Sequence, residues 1–286
     1  KINNVGGSPL MYSIGVGLAD SYSTITKFDN PEGALNNYYE GKRIGEIWGY
    51  VTDGFIQDEA EAQRMATIQG DISKTWKVGD IRYKDLDGVE GITSAKTIYN
   101  TGDQKVIGNT TPRYSFNINA SASWKGFDVR VFFEGIAKRD LWIDSPVFWG
   151  FPSNSNVWQS AVNDYHVDNS WSENNTNAYY PLPSYSGRSK QTQTKYLQNG
   201  AYIRLKDLTI SYTIPKAWIS TVGIEQLKVF ASGQNLWVGT KLFKYLDPDI
   251  VSTRQSNSKD NKLVGNLTSD GKAYPFSRTF SFGINL

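Results

Sequence analysis

The sequence predicts an all-β fold of about six antiparallel strands, joined by short turns at one end and long loops at the other. Several stretches alternate apolar and polar residues with a period of two, which is typical of strands with one apolar face. The composition agrees, because the 286 residues include 9 Trp, 17 Tyr, 13 Phe and 26 Gly beside a mean hydropathy of -0.47. Many aromatic residues in a polar average suit alternating strands better than a helical core.

The alternation predicts strands over 10–28, 113–124, 127–140, 202–214, 227–235 and 277–286. In the stretch YSFNINASASW, the apolar positions are Tyr114, Phe116, Ile118, Ala120, Ala122 and Trp124. Lys125 and Gly126 follow at once, and they predict a tight hairpin to the next strand. The apolar phase of YIRLKDL changes near Lys206, which predicts a β-bulge there. The closing stretch RTFSFGINL alternates throughout, so we expect it to pair with other strands along its whole length.

Two architectures share this pattern, a soluble β-sandwich and a large antiparallel transmembrane β-barrel. The connections favour the barrel, because long loops at 29–112, 142–200 and 236–275 alternate with short connections. Near the short-turn end lie Trp124, Phe127 and Trp218, where the aromatic girdle of a barrel would meet the membrane interface. Six strands are too few to close a barrel, the smallest of which has about eight, so we expect further strands to complete it.

Composition and motifs argue against most enzyme classes. A net charge of +2 gives no reason to expect nucleic acid, and the absence of cysteine with a single histidine removes thiol chemistry and most zinc sites. Asp164, His166 and Ser170 are the residue types of a catalytic triad, but they lie close together in one polar loop. Asp247 and Asp249 lie in a loop turn, and their spacing there does not indicate a glycosidase pair. The sequence therefore does not predict an enzyme.

Seven stretches in a fixed order resemble the C-terminal third of SusC-like TonB-dependent outer-membrane transporters. They are GEIWGYVTDGFIQ (45–57), GDIRYKDLDG (79–88), QKVIGNTTPRYSFNINASASWKGFDVRVFFEG (104–135), SWSENNTNAYYP (170–181), YLQNGAYIRLKDLTISYTIPK (196–216), LKVFASGQNL (227–236) and YPFSRTFSFGINL (274–286). Order and spacing together make the resemblance specific, whereas one stretch alone is weak.

The resemblance implies that residues 1–286 form the last strands of a barrel of about 22 strands with a plugged lumen. The plug domain and the segment that contacts the TonB complex would lie upstream of this chain. A bacterial outer-membrane location, surrounding outer-membrane lipid, a SusD-like surface lipoprotein as a lid, and an oligosaccharide or peptide cargo are further implications. The alternative from another class is a soluble surface β-sandwich module that binds glycan.

Aromatic residues are dense in the predicted loop 142–200. The candidates for contact with a ligand or with the lid are Trp142, Trp149, Trp158, Trp171, Tyr179 and Tyr180. Aromatic faces stack on sugar rings and also anchor protein interfaces. A third interpretation is that they pack the loop against its neighbours, because a loop of this length needs a core of its own.

The acidic stretch DLDGVE, at 85–90, corresponds to a family segment that resembles a calcium loop. Here Val89 and Glu90 depart from the loop pattern, since they occupy a ligand position and a position where the loop requires glycine. Calcium is the one cofactor for which the sequence offers ligands, through Asp85, Asp87 and Glu90. A plain acidic turn is the alternative.

Overall fold

The computed structural model describes residues 10–153, 157–220, 223–251 and 276–286. In chain order the strands are β1 (Met11–Ala19), β2 (Glu46–Tyr50), β3 (Thr52–Phe55), β4 (Ile81–Tyr83), β5 (Gln104–Asn109), β6 (Arg113–Trp124), β7 (Phe127–Lys138), β8 (Asp140–Leu141), β9 (Gln198–Asn199), β10 (Tyr202–Thr213), β11 (Lys228–Thr240) and β12 (Thr279–Asn285). The helices are α1 (Glu59–Ile68), α2 (Pro146–Trp149), α3 (Asp164–Asn169) and α4 (Lys216–Ile219). No helix in these residues is long and apolar enough to cross a membrane.

Six long strands form one antiparallel sheet in the order β1-β6-β7-β10-β11-β12. The prediction of six alternating strands is confirmed, and β6 has the predicted bounds. The prediction that the first strand continues to residue 28 is wrong, because β1 ends at Ala19 and the chain then enters a long connection. The fifth long strand is longer than predicted and reaches Thr240. The described part of the closing strand β12 pairs with β11.

The apolar positions of the six strands fall on one face because the register aligns them. Opposed pairs on this face include Val16 with Ile118, Ala120 with Val131, Val129 with Ile210, and Ala231 with Phe282. Many of these side chains are open, with Val16 and Leu18 each 71% exposed and Phe282 80% exposed. A soluble sandwich would bury such a face against a second large sheet, and the described residues contain no second sheet of that kind.

The predicted bulge near Lys206 is confirmed and explains how one strand keeps a single apolar face. The register of β10 shifts between Leu205 and Asp207 against both neighbouring strands. One residue is added between Leu205 and Leu208, so both side chains lie on the apolar face. Without this residue, Leu205 and the apolar side chains before it on β10 would lie on the polar face of the sheet.

The β6–β7 hairpin turns through two residues with positive φ, Lys125 at 48° and Gly126 at 87°. Two-residue turns of this kind match the twist of the flanking strands. Gly126 also lies against β10, where an added Cβ would approach Thr213 O to 2.9 Å. Since the sheet is an antiparallel meander, this turn and the connection 214–227 lie at one end, and the three long connections lie at the other. Trp124, Phe127 and Trp218 are at the short-turn end, as predicted.

The described parts of the three long connections, 20–112, 139–201 and 241–251, pack together into one unit that we call the loop body. It contains the short strands β2–β5 and β8–β9 and the helices α1 to α3. Every residue of the buried hydrophobic core cluster belongs to the loop body and none to the six-stranded sheet. The described part of the molecule thus consists of a sheet with an open apolar face and a loop body with a closed apolar core.

Candidate functional site

The face of the sheet opposite the apolar face carries hydroxyl, amide and charged side chains. Two ion pairs cross between its strands, Lys206 Nζ to Glu134 Oε1 at 2.7 Å and Lys228 Nζ to Asp128 Oδ2 at 2.7 Å. The second pair is extended by the Ser123 hydroxyl, which donates to Asp128 at 2.5 Å. Strand alternation places all of these groups on one side, so this polar face suits contact with water or with a polar ligand.

Two clefts of about 510 Å³ each lie on the polar face along β1, β6 and β7. The cleft nearer the loop body includes Asn117, Glu134 and Tyr202 in its lining. The cleft nearer the short turns includes Asn119 and Arg130. Side chains on β1 are small here, with Gly15 and Gly17 on the polar side, which leaves the space that the clefts occupy.

The aromatic candidates of the loop 142–200 divide by exposure. Trp142, Trp149, Trp171 and Tyr180 are buried and Tyr179 is partly buried, whereas Trp158 is 93% exposed. The Trp149 ring centroid lies 4.7 Å from that of Tyr196, and the rings of Tyr180 and Tyr196 are parallel within 6°. The buried rings therefore contribute to the core of the loop body, and Trp158 is the candidate that is open to a partner.

Hydrogen bonds fix the polar atoms of this aromatic cluster. Trp149 Nε1 donates to Ile143 O at 3.0 Å, and the Tyr196 hydroxyl donates to Tyr179 O at 2.8 Å. Trp171 lies against Gly79 from the first long connection, where an added Cβ would come within 2.3 Å of the indole ring. Gly79 also has φ +86°, so glycine is required there for both space and conformation. This contact joins two of the three connections.

Buried ion pairs join the connections further. Arg188 Nε donates to Asp80 Oδ2 at 2.6 Å, and the Ser189 hydroxyl donates to the other oxygen of Asp80 at 2.9 Å. Asp80 is fully buried and also accepts from Lys77 N at 2.8 Å. With this many partners the charge is compensated, but removing one partner would leave a buried charge. Asp80 and Arg188 come from different connections, so the pair fixes their relative position.

A second buried network joins the third connection to the sheet. Arg204 on β10 pairs with Asp247 at 2.6 Å and with Asp249 at 3.0 Å, and the Tyr202 hydroxyl donates to Asp249. Asp247 and Asp249 are thus engaged by one guanidinium, which agrees with the interpretation that they are not a glycosidase pair. Arg139 adds a tie between the first and third connections, with Nε donating to Thr110 O and Nη2 to Val251 O.

Two lysines of the loop body lie in low-polarity surroundings. The ammonium of Lys190 donates to the carbonyls of Ser184 at 2.6 Å, Phe151 at 2.9 Å and Pro152 at 3.0 Å. Burial lowers the pKa of Lys190 to about 8, an effect that the charge of Asp144 opposes. Burial also lowers the pKa of Lys195 to about 8, and its Nζ lies 3.8 Å from the ring centroid of Phe55. Backbone carbonyl oxygens therefore contact the ammonium of Lys190, and an aromatic ring contacts that of Lys195.

The single histidine caps a helix. At the start of α3, Asn163 N donates to His166 Nδ1 at 3.3 Å, and the Asn163 side chain accepts from His166 N. Nε2 lies 3.1 Å from Phe148 O, so the proton belongs on Nε2, which donates to that carbonyl. Burial lowers the pKa of His166, which keeps the ring neutral. Both ring nitrogens are occupied by the backbone, which agrees with the rejection of the Asp164–His166–Ser170 triad.

The acidic stretch forms a carboxylate group with a member that the sequence did not suggest. Asp85, Asp87 and Asp103 have carboxylate oxygens within 4.8 Å of one another, and Glu90 is not part of the group. Gly88 N donates to Asp85 and Val89 N to Asp87, while Asp103 is buried and accepts from Leu86 N and Thr93 N. These bonds are those of an acidic turn, and calcium binding stays a prediction. Asp103 was missed because it lies 16 residues after Asp87 in the sequence and comes close to it only in the folded chain.

The chain is similar in sequence and in fold to known proteins. No family model matches the chain. The TonB-dependent receptor P3 of Formosa agariphila is 30% identical over 247 residues, which cover 86% of this chain and 22% of that protein. TonB-dependent receptor P26 of the same organism is 26% identical over 220 residues, with 73% and 20% covered. The chain thus spans about a fifth of the length of these relatives.

Solved structures share the fold at low identity. The RagAB peptide importer in its open-open state matches with a TM-score of 0.62 and 17% identity, over 97% of this chain and 27% of that one. In its closed-closed state the TM-score is 0.63 at 18% identity, over 97% and 28%. The predicted fold class, a set of strands from a large antiparallel barrel with long loops, is therefore confirmed. By sequence and by fold, this chain is similar to a segment of the TonB-dependent transporters.

Proposed function

We propose that this chain forms part of the wall of an outer-membrane transporter that imports oligosaccharides or peptides with energy delivered through TonB. The observation that carries the proposal is the division of one antiparallel sheet into an open apolar face and a polar face. Exposing an apolar face that spans six strands to water costs free energy, whereas lipid tails can cover it without that cost. The named sequence relatives support the same assignment.

The two faces have different roles in the proposed transporter. Hydrogen bonds between strands satisfy the backbone, so side chains of the apolar face can meet lipid without exposing polar groups. The polar face then lines the lumen, with its ion pairs and its two clefts. The outer edges of β1 and β12 need partner strands in a bilayer, and in this proposal strands upstream in the same protein supply them.

The loop body lies at the extracellular end in the proposed orientation. Its buried core and ion pairs make it a rigid platform, which is a suitable surface for a SusD-like lipoprotein lid. Trp158 offers an exposed aromatic anchor on this platform, and aromatic residues dominate the energetics of many protein interfaces. The solved relative RagAB is a peptide importer.

No covalent step is required for this function. Cargo would cross when a plug held within the barrel moves under force from the TonB complex, and in this proposal the plug belongs to a part of the protein upstream of this chain. The residues described here would hold the wall, the lumen surface and the platform. None of the carboxylate groups or the histidine is assigned a catalytic role.

The test is uptake by cells that carry the complete protein. Cells with intact TonB should accumulate labelled oligosaccharide or peptide, and cells without TonB should lose that uptake. The protein should fractionate with the outer membrane and change its gel migration on heating. Recovery of the protein in the soluble fraction, or uptake that does not depend on TonB, would contradict the proposal.

Orientation has its own test. Protease added to intact cells should cut within the loop body and spare the short connections at 125–126 and 216–225. Cleavage at the short connections with the loop body left intact would mean that the orientation in the membrane is the opposite of the proposed one.

A further inference from the structure

Phe132 breaks the alternation of β7 and lies on the polar face. Asp128, Arg130 and Glu134 occupy the other polar-face positions around it, and the register places Phe132 opposite Asn119 and Asp207. The ring is only partly buried. A phenylalanine on a face of amides, hydroxyls and charges gains little stability unless something covers it.

The ring separates the two clefts of the polar face and lines both of them. On one side the lining includes Ser115 and Asn117, and on the other Asn119 and Ser121. Each cleft has a volume of about 510 Å³, which is within the range of small-molecule sites. An aromatic ring between two polar clefts is therefore available from both sides.

The other aromatic residues on the polar face of the described strands have structural roles. Phe230 on β11 packs down on β12, where an added Cβ on Gly283 would come within 2.4 Å of its ring. Tyr202 on β10 donates its hydroxyl to Asp249 and so belongs to the network that holds the third connection. Phe132 has no comparable intramolecular role among the described residues.

Resting on the proposed function, we propose that Phe132 is the stacking platform of a binding position for an uncharged oligosaccharide in the lumen. Sugar rings present a C–H face to an aromatic ring and hydroxyl groups around their edge. The ring of Phe132 can stack against the C–H face of a sugar. The amides of Asn117 and Asn119 and the neighbouring serines can form hydrogen bonds with its hydroxyl groups.

Lys206 pairs with Glu134 in the cleft nearer the loop body, and Arg130 and Asp207 bring opposite charges to the cleft nearer the short turns, so neither lining has a large net charge. A neutral, hydroxyl-rich ligand fits this lining better than an ionic one.

The chemical test uses cysteine reactivity in the complete transporter, because this chain contains no cysteine of its own. Asn119→Cys places a thiol beside Phe132, and Ser232→Cys places one on the polar face of β11 as the matched control. A small, water-soluble thiol reagent is added in the absence and presence of uncharged glucan hexasaccharides, and the parent protein gives the background. We expect saccharide to slow labelling at position 119 and not at position 232.

The functional test compares Phe132→Ala and Phe132→Trp with Phe230→Leu. Loss of the ring should lower hexasaccharide uptake about 3- to 10-fold, the size of one aromatic contact, and tryptophan should restore it. Phe230→Leu should transport like the parent. Uptake of uncharged peptides of similar length should change less than saccharide uptake in Phe132→Ala. Heat-modifiable migration checks that each variant forms its barrel.

Several results would overturn the inference while leaving the proposed function intact. Saccharide uptake by Phe132→Ala equal to that by Phe230→Leu would remove the platform. Equal loss of peptide and saccharide would indicate a general lumen defect. A thiol at position 119 that never reacts would mean that another part of the protein covers Phe132. The proposed function is tested separately, and it fails if the parent protein shows no TonB-dependent uptake of either cargo or is recovered in the soluble fraction.

Discussion

The loop body and the six-stranded sheet contain similar apolar side chains and place them in opposite surroundings. In the loop body, Tyr196 is 0% exposed and Phe148 is 1% exposed, within a cluster of aromatic contacts. In the sheet, Val16 is 71% exposed and Phe282 is 80% exposed. The loop body thus supplies its own apolar interior, whereas the sheet requires an apolar environment from outside.

This difference divides the sources of stability between the two regions. Burial of side chains and paired charges stabilises the loop body, and water is its natural surrounding. Cross-strand hydrogen bonds and contact with lipid would stabilise the sheet. A substitution should therefore have an effect that depends on the region more than on the residue type.

The largest expected effect is the loss of a buried ion pair in the loop body. Asp80→Ala leaves Arg188 buried without its carboxylate and removes the acceptor of Ser189 and Lys77. We expect a loss of about 3–5 kcal/mol in the free energy of unfolding of the loop body. Chemical unfolding in detergent, followed by the fluorescence of the buried tryptophans, measures it.

The matched control is Asp53→Ala. Asp53 pairs with Arg82 at 2.8 Å, but its side chain is 48% exposed. An exposed pair contributes about 0–1 kcal/mol. Equal losses for the two variants would mean that the loop body is not stabilised by its buried charges.

The next largest effect concerns charged substitutions on the two faces of the sheet. Arginine at Val131 or Ile210, on the apolar face, should cost about 2–4 kcal/mol of barrel stability because its charge would lie in lipid. The same residue at Asn119 or Ser232, on the polar face, should cost far less. Chemical unfolding in detergent compares the four variants. Losses of similar size on both faces would contradict the assignment of the apolar face to lipid.

A smaller effect concerns the aromatic residues of the loop body. Trp158→Ala should leave the stability of the loop body unchanged, because the side chain is 93% exposed, and should weaken association with a lid by about 1–3 kcal/mol. Trp149→Ala should instead destabilise the loop body, since its ring is packed among Phe148 and Tyr196. Co-purification with the lid, measured beside unfolding, separates the two. A Trp158→Ala variant that keeps full lid affinity would remove Trp158 from the interface.

The smallest expected effect is a dependence on pH. The pKa of Lys190 is lowered to about 8 by burial, below its ordinary value of 10.5. Between these pH values the unfolded chain binds more protons than the folded one, so the free energy of unfolding rises with pH. We expect a gain on the order of 1 kcal/mol between pH 8 and pH 9.5.

Lys190→Met should remove about half of this dependence, because Lys195, whose pKa burial also lowers to about 8, acts in the same direction. Substitution of an exposed lysine should leave the dependence unchanged. Burial also raises the pKa of several tyrosines, among them Tyr50 to about 12, and this acts in the opposite direction as the pH approaches 10. Unfolding curves at three pH values between 7.5 and 9.5 provide the measurement. Stability that falls with pH over this range would contradict the described surroundings of Lys190.

Sequence alone predicted the sheet well because each strand carries its own evidence. The bounds of β6 and the bulge near Lys206 follow from a period of two, which is local information. The loop body was predicted only as long loops with dense aromatics. Its strands are short, and partners such as Asp80 and Arg188 are separated by more than a hundred residues, which no local pattern reveals. Phe132 departs from the alternation of β7, but its position between two clefts is visible only in the tertiary structure.

The most direct test of the division between the two faces is the accessibility of alternate residues on β6. Single cysteines at Asn117 to Ala122 in the complete protein, labelled with a polarity-sensitive dye in bilayers, would be tested with a quencher in the lipid tails and with one in water. We predict lipid quenching at Ile118, Ala120 and Ala122, and access to the aqueous quencher at Asn117, Asn119 and Ser121. Signals without a period of two, or aqueous access at all six positions, would contradict the account.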